Sequence, residues 1–468
     1  MNFKMNWRTT LRLCATGKSI LRYERRFYTN RNILTLHDRG MFQEMFPETA
    51  GPEMKALLVG SPQSAYAGFD PTADSLHVGN LLVLMNLLHW QRGGHQVIVL
   101  LGGATGQIGD PSHRTKERDE INVAVMEQNI KGIRANIETI FKHHNAHFWS
   151  DKHNEPLKPP IILNNLNWYK DLNVIQFIRG VGKHFRLGTM MGRSSVQSRL
   201  NSEGGMSFTE FSYQVFQGFD WLYLFNNYKC RFQIGGSDQM GNIMSGHDLV
   251  RKSTGQQVFG LTLPLITAEG GKKFGKSVGN AVWLSPEKSS PFNLYQFFIR
   301  TRDSDVENFL KLFTFLDLKT IADIMKKFNE APEKREAQRI LAENVTLLVH
   351  GEEGLSAANH ASALLYDNSL DSLSKMSVDE ILNVFEGAKV SELPPEPGIT
   401  TYGLAMKINC FKTDRDAQRI ISAGGFYINH SKIMNVNEVI TPGIHILPNN
   451  TTLVRVGKKT YHVVRWLM

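Results

Sequence analysis

From Ala65 onward the apolar positions switch between a two-residue and a helical period. Ala65–Asp70 reads as a strand and Leu81–Trp90 as a helix. Gln96–Leu101 (Gln-Val-Ile-Val-Leu-Leu) is so continuously apolar that it predicts a strand covered on both faces. The alternation returns with a helical stretch, Phe208–Phe225, and strand candidates at Cys230–Ile234 and Phe259–Ile266. Strands separated by helices predict an α/β domain built on a parallel sheet. From Ser289 to about Lys389 the pattern is helical, with Leu310-Lys311-Leu312-Phe313 and Ile340-Leu341 among charged residues. Pro394-Pro395-Glu396-Pro397-Gly398 then reads as a linker. Beyond it a helix from about Arg415 to Ser422, a stop at Gly424-Gly425 and short strands near Phe426–Ile428 and Thr452–Val456 form a small unit.

The turns between these elements carry the chemistry. Asp70-Pro71-Thr72 breaks the first strand, and the helix that follows Ser75-Leu76-His77-Val78-Gly79-Asn80 presents free backbone N–H groups to that turn, which suits an anion. Gly102–Pro111 follows a strand at its carboxyl end, where open parallel sheets bind ligands. Gly235-Gly236-Ser237-Asp238-Gln239 repeats that strand-to-glycine-turn arrangement. Tyr213, Gln217 and Asp220 stand at i, i+4 and i+7 and project from one helix face. Lys272-Lys273-Phe274-Gly275-Lys276-Ser277 is a basic loop flanked by glycines, so this loop and the first turn can bracket a triphosphate from two sides.

Composition narrows the class. With 468 residues, 41% hydrophobic and 21% charged, the chain is an ordinary globular one of about two to four domains. No apolar run reaches the roughly 18 residues of a membrane span. Cys14, Cys230 and Cys410 are too far apart to suggest a disulfide framework or a zinc site. The net charge of +9 is unevenly placed: residues 1–40 carry +7 and residues 401–468 carry +6, leaving −4 for the long middle. The first 30 residues are basic, almost free of acid, and set Phe3, Trp7, Leu11 and Leu21 among arginines, as a mitochondrial transit peptide does. The basic tail suggests a nucleic-acid backbone as partner.

Taken together, Gly68-Phe69-Asp70-Pro71-Thr72-Ala73-Asp74-Ser75-Leu76-His77-Val78-Gly79-Asn80, Gly102–Pro111, Gln233–Gln239 and Lys273-Phe274-Gly275-Lys276-Ser277 closely resemble the bacterial-type and mitochondrial tyrosyl-tRNA synthetases, which are class I enzymes. The resemblance runs from about Leu34 to the C-terminus. It implies that Thr72, His77, Asn80, Lys273 and Lys276 serve turnover by contacting the phosphates of ATP and the departing pyrophosphate. It further implies that Tyr66 and Asp220 bind the substrate phenol, while Asp110, Tyr213, Gln217 and Gln239 surround its ammonium and carboxylate. Asp70, Gly79, Gly236, Asp238, Ile266 and Lys276 match positions that contact nucleotide. The commoner signature ends in His where this chain has Asn80; a carboxamide still donates a neutral hydrogen bond but cannot become cationic.

The resemblance implies adenylate formation with ATP and Mg²⁺, followed by tyrosine transfer to mitochondrial tRNA(Tyr) in the matrix, by a homodimer with no membrane partner. Thr413–Asn429 looks like an S4-type RNA-binding motif, with Arg415, Arg419 and Lys432 as candidate phosphate contacts. The expected fold is a Rossmann-like parallel-sheet catalytic domain at 31–285, a helical anticodon-side domain at 286–390, a linker at 391–400 and a small α+β S4-like domain at 401–468. A transit peptide at 1–30 would precede them. The alternative is a synthetase-derived RNA-binding factor that splices or assembles without catalysis. The related tryptophan enzyme fits less well, because an indole only donates, whereas Tyr66 with Asp220 suits a hydroxyl that donates and accepts.

Overall fold

The structure, a computed structural model, describes residues 30–112, 121–149, 156–266, 281–366, 373–374, 381, 388–457 and 460–467. Its central sheet holds β1 (Glu44–Phe46), β2 (Ser64–Phe69), β3 (Gln96–Leu101), β4 (Ile161–Asn164), β5 (Cys230–Gly236) and β6 (Phe259–Leu263), in the order β1-β6-β5-β2-β3-β4. Strands β2 to β6 run parallel, and β1 lies antiparallel along β6 at the edge. The chain steps outward from β2 to β3 and β4, then returns to the other side of β2 for β5 and β6. Strand order therefore reverses between β2 and β5, and a crevice opens there at the carboxyl ends.

The apolar run of β3 is explained by two covered faces. Val97, Val99 and Leu101 enter one core, while Ile98 and Leu100 enter the other. The first core lies under α1 (Gly51–Gly60) and α2 (Val78–Arg92), the crossover from β2 to β3. After the short α3 (Thr105–Ile108) and the long α4 (Val123–His143) come α5 (Leu166–Tyr169), α6 (Val174–Gly180), α7 (Leu187–Met191) and α8 (Ser194–Leu200). The second core lies under α9 (Phe208–Tyr228) and α10 (Met240–Thr254), through Trp221, Leu224, Ile243 and Val250. Ser207 caps α9 by accepting the Glu210 N–H at 3.2 Å, a contact worth about 1 kcal/mol. Glu210 in turn forms a buried two-pronged pair with Arg199, at 2.7 and 3.1 Å, that clamps α8 to the first turn of α9.

The helices α11 (Pro291–Ile299), α12 (Val306–Phe313), α13 (Leu318–Glu330) and α14 (Glu336–Tyr366) follow, the last broken at Gly351, where φ is 70°. Their Phe298, Phe313 and Leu341 share one buried cluster with Leu81 and Trp90 of α2. The boundary expected at 285/286 thus cuts through a continuous core. Arg39 fastens the N-terminal segment to the same layer by donating to the carbonyls of Lys311, Thr314 and Leu316 at 2.8, 2.7 and 2.6 Å, satisfying the C-terminal end of α12.

The C-terminal unit is a five-stranded sheet of β7 (Lys389–Leu393), β8 (Phe426–Ile428), β9 (Ser431–Ile433), β10 (Thr451–Val456) and β11 (Thr460–Trp466), in the order β7-β11-β10-β8-β9. With α15 (Thr401–Lys407) and α16 (Asp414–Ser422) it encloses its own core around Leu404, Ile421, Phe426, Val454 and Trp466. Gly424, at φ 74°, ends α16 where the sequence places the stop. The stretch expected as a linker at 391–400 begins and ends against the terminal unit: residues 391–393 pair in parallel with β11 and Thr400 bridges Val439, while residues 394–398 between them are exposed and lie outside any strand. The terminal unit also touches the helical layer, through a cluster of Phe292 and Ala361 with Leu447, Leu453 and Val463.

Candidate active site

A cavity of about 650 Å³ opens at the carboxyl ends of β2, β3 and β5. Its lining gathers Tyr66, Asp70, Thr72, His77, Gly79, Asn80, Asp110, Tyr213, Gln217, Asp220, Gly236, Asp238, Gln239 and Ile266. These are all the residues the resemblance assigns to amino acid, nucleotide or turnover, apart from Lys273 and Lys276, which lie outside the described residues. Arg415 and Arg419 are on α16 and Lys432 is on β9, away from this cavity.

At the inner end stands Asp220, 2% exposed. Three neutral donors hold its carboxylate: Asn165 Nδ2 at 3.0 Å, Trp168 Nε1 at 3.0 Å and Tyr169 Oη at 2.9 Å. Burial pushes its pKa up to about 7, with the three hydrogen bonds pulling against that rise and the negative charge of Asp70 adding to it. Beside it the Tyr66 hydroxyl is buried and has no hydrogen-bond partner among the described residues. Burial first, and Asp220 second, raise the Tyr66 pKa well above 10, so it stays a neutral phenol. An orphan hydroxyl next to a carboxylate marks a place for a ligand group that donates to one and accepts from the other.

Asn165, Trp168 and Tyr169 were not singled out from the sequence. Their signal was the run Asn164-Asn165-Leu166-Asn167-Trp168-Tyr169, which is polar and aromatic where a loop would be plainly hydrophilic. Glycine makes room for the residue before them: a Cβ on Gly103 would sit 2.3 Å from Asn164 Oδ1.

Around the middle of the cavity the polar side chains bond to one another. Tyr213 Oη donates to Asp70 Oδ2 at 2.8 Å, and Thr105 Oγ1 donates to Asp70 Oδ1 at 2.7 Å. Gln239 Nε2 donates to Asp110 Oδ2 at 2.8 Å, and Gln217 Nε2 to Gln239 Oε1 at 3.3 Å. Asn242, which the sequence did not flag, donates to Gln239 Oε1 at 3.2 Å. Asp70 and Asp110, with the carbonyl oxygens of the glutamines, offer acceptors suited to an ammonium.

The outer end is the start of α2. His77 is the residue before the helix, and its backbone N–H donates to Asn80 Oδ1 at 3.1 Å. That bond fixes which way the Asn80 amide faces and leaves its NH₂ end available to the cavity. Burial lowers the His77 pKa, so the imidazole is neutral near pH 7, and its buried Nδ1 has no partner among the described residues. The residues after the lysine loop pair with this turn. Val78 N–H donates to the Val282 carbonyl at 3.0 Å and Leu284 N–H to the Leu76 carbonyl at 2.8 Å. Trp283 thereby stands edge-on to His77, with ring centroids 6.1 Å apart. Lys288 lies over the Trp283 ring and pairs with Asp74 at 2.6 Å. Neutral donors around a helix N-terminus suit a polyphosphate.

Comparison with known proteins agrees with this geometry. A family model described as "tRNA synthetases class I (W and Y)" matches residues 60–367. The chain is 53% identical over 451 residues to a mitochondrial tyrosine–tRNA ligase of Drosophila melanogaster, covering 96% of this chain and 97% of that one. It is 47% identical over 434 residues to the mitochondrial tyrosine–tRNA ligase of Rattus norvegicus, 92% of each. Among solved structures it is similar to a C-terminally truncated Aspergillus nidulans mitochondrial tyrosyl-tRNA synthetase, with a TM-score of 0.65 and 32% identity over 71% of this chain and 94% of that one.

Proposed function

The chain belongs to the class I tyrosyl-tRNA synthetases, and from that membership we propose that it activates L-tyrosine with ATP and transfers it to mitochondrial tRNA(Tyr) in the matrix. The observation that carries the reading is the orphan Tyr66 hydroxyl beside the three-donor Asp220 inside the cavity. A substrate phenol donates to Asp220 and accepts from Tyr66, completing both. Phenylalanine would leave the Tyr66 hydroxyl orphaned and give Asp220 no fourth donor, which accounts in kind for the discrimination of about 10⁵ long established for tyrosyl-tRNA synthetases themselves.

In the first step the tyrosine carboxylate attacks the α-phosphorus of ATP, the bond to the β-phosphate oxygen breaks, and pyrophosphate leaves. The carboxylate is already ionised, so no general base is required, and the rate comes from positioning and from donors that meet charge as it moves onto the leaving group. Thr72, Asn80, neutral His77 and the N–H groups at Gly79 supply such donors from one side. Lys273 and Lys276, outside the described residues, are the cations proposed for the same step. Asp238, Gly236 and Ile266 receive the nucleoside, while Asp110, Tyr213, Gln217 and Gln239 hold the ammonium and carboxylate of the amino acid. In the second step a terminal adenosine hydroxyl of the tRNA attacks the mixed anhydride and AMP leaves. Among the described residues no cluster of three or more His, Cys, Asp or Glu side chains could hold a metal. Mg²⁺ brought in with the triphosphate would share the charge that moves onto the pyrophosphate.

One feature supports the homodimer. Between residues 174 and 208 the large side chains of Val174, Ile175, Ile178, Leu187 and Phe208 are all more than half exposed, an apolar surface that a second copy would cover. Consecutive elements α6 to α9 carry it. For RNA, the S4-like reading rests on Arg415 and Arg419 of α16 and on Lys432, whose side chain lies against Gly424.

The test is ATP–pyrophosphate exchange by protein lacking residues 1–29, run with each amino acid. Exchange with tyrosine alone is expected. Its absence, with RNA binding intact, would move the reading to a non-catalytic RNA-binding factor.

A further inference from the structure

Resting on the reading of Asp220 as the phenol acceptor, we infer that Tyr169 is a positioning residue whose hydroxyl keeps that carboxylate an acceptor and so sets the preference for tyrosine over phenylalanine. Tyr169 touches no part of the expected substrate; it acts through Asp220. Its oxygen lies 2.9 Å from Asp220 Oδ1 and 2.7 Å from the Phe216 carbonyl oxygen, one turn earlier on α9. A phenol has one proton, so it donates to one of these acceptors at a time. While Asp220 is ionised, it is the stronger acceptor and takes the proton. Once Asp220 is protonated, the Tyr169 hydroxyl turns to Phe216 and can itself accept from the new carboxyl O–H. The hydroxyl therefore stabilises the ionised carboxylate selectively, with a resting place for its own proton when that charge is lost.

The surroundings make this contact consequential. The groups facing Asp220 from the neighbouring elements are Tyr66 and Asp70 at β2 and Tyr169 itself; the thiol of Cys230 on β5, near Tyr66, is kept protonated by burial. Among the described residues no cation acts on Asp220, so neutral donors oppose the burial that favours its protonated form. Asn165 and Trp168 have ties elsewhere: Asn165 Nδ2 also reaches Thr105 Oγ1 at 3.0 Å, and the Trp168 ring stacks on Tyr223 at 4.2 Å. The Tyr169 ring is seated against Phe177, Phe216 and Phe219, at 6.4, 5.2 and 5.6 Å between centroids. Tyr169→Phe keeps that aromatic seat and removes only the oxygen, so packing and charge control can be separated.

The experiment compares the full mature protein with Tyr169→Phe by ATP–pyrophosphate exchange, measuring kcat and KM for tyrosine and for phenylalanine from pH 5.5 to 9, with thermal melts alongside. Loss of one donor to a charged group moves the pH at which KM for tyrosine begins to rise upward by about one unit. The expected result is that shift, a roughly tenfold fall in tyrosine-over-phenylalanine discrimination at pH 7, and unchanged saturating kcat and melting temperature. Superimposable pH profiles and equal discrimination in a tyrosine-activating wild type would overturn the role of Tyr169 alone. A wild type that ignores tyrosine would overturn the reading beneath it.

Discussion

Tyr213 on α9 donates its hydroxyl to Asp70 at the end of β2 across 2.8 Å, so a residue proposed for the amino-acid site is tied to one proposed for the nucleotide site. Strain in one half of the cavity is thereby felt in the other. Tyr213→Phe is expected to raise KM for tyrosine and for ATP together, each roughly tenfold, the scale of one hydrogen bond to a charged group. A rise confined to one substrate in steady-state exchange assays would show that the two halves are not linked through this bond.

Gly102 leaves no room for a side chain. A Cβ there would lie 2.0 Å from Asp70 Oδ1 and 2.5 Å from Thr105 Oγ1. Both neighbours are side-chain ends that can swing aside, so Gly102→Ala should fold while its Asp70 carboxylate is displaced. Exchange activity should fall by about a hundredfold or more, as an ångström of misplacement does, with circular dichroism unchanged. Near-normal activity would mean that Asp70 does not need its observed position.

Protonation should act on binding before turnover. Asp220, with its pKa pushed up to about 7 by burial, is the ionised acceptor above that pH and is lost as an acceptor below it. KM for tyrosine is therefore expected to be flat on the alkaline side and to climb as pH falls through about 7. His77, whose pKa burial lowers, is already neutral over that window, so saturating kcat should show no inflection from it there. A KM profile that climbs toward alkaline pH would contradict the assignment.

Tyr66 is the second half of the proposed phenol contact. Tyr66→Phe should raise KM for tyrosine and lower the tyrosine-over-phenylalanine ratio about five- to tenfold, the effect of one neutral hydrogen bond. Unchanged discrimination would show that the orphan hydroxyl does not meet the substrate.

The pair of Arg199 and Glu210 is a matter of stability. Both side chains are at most 3% exposed, and Glu210→Ala removes the carboxylate that neutralises a buried guanidinium. The expected loss is about 3 to 5 kcal/mol, read as an earlier urea midpoint. A change under 1 kcal/mol would mean that water or another acceptor takes over.

Much of this architecture was legible in the chain. The two-sided burial of Val97 to Leu101 required a central strand, because no half-exposed strand is apolar at successive positions. Gly102, Gly235 and Gly236 at strand ends announced where backbone and ligand-binding side chains come close. The spacing of Tyr213, Gln217 and Asp220 put them on one helix face, and they line one cavity. Hidden from that reading were β4, whose last residue precedes Asn165, and the edge strand β1. Short segments of three or four residues carry too little periodicity to announce themselves.

The sequence by itself determined the longer strands and helices, where glycine and helix starts make anion and ligand sites possible, and which side chains share a helix face. Those properties arise from interactions within a few residues. The tertiary structure alone decided that Asn165, Trp168 and Tyr169 would converge on an aspartate some fifty residues away, and that Arg39 would close the end of a helix beginning at Val306. It also decided that Lys389–Leu393, the segment before the prolines, would join a sheet. Each of these depends on buried donors and acceptors finding partners across the fold, and the choice of partner is made by packing, which no local pattern encodes.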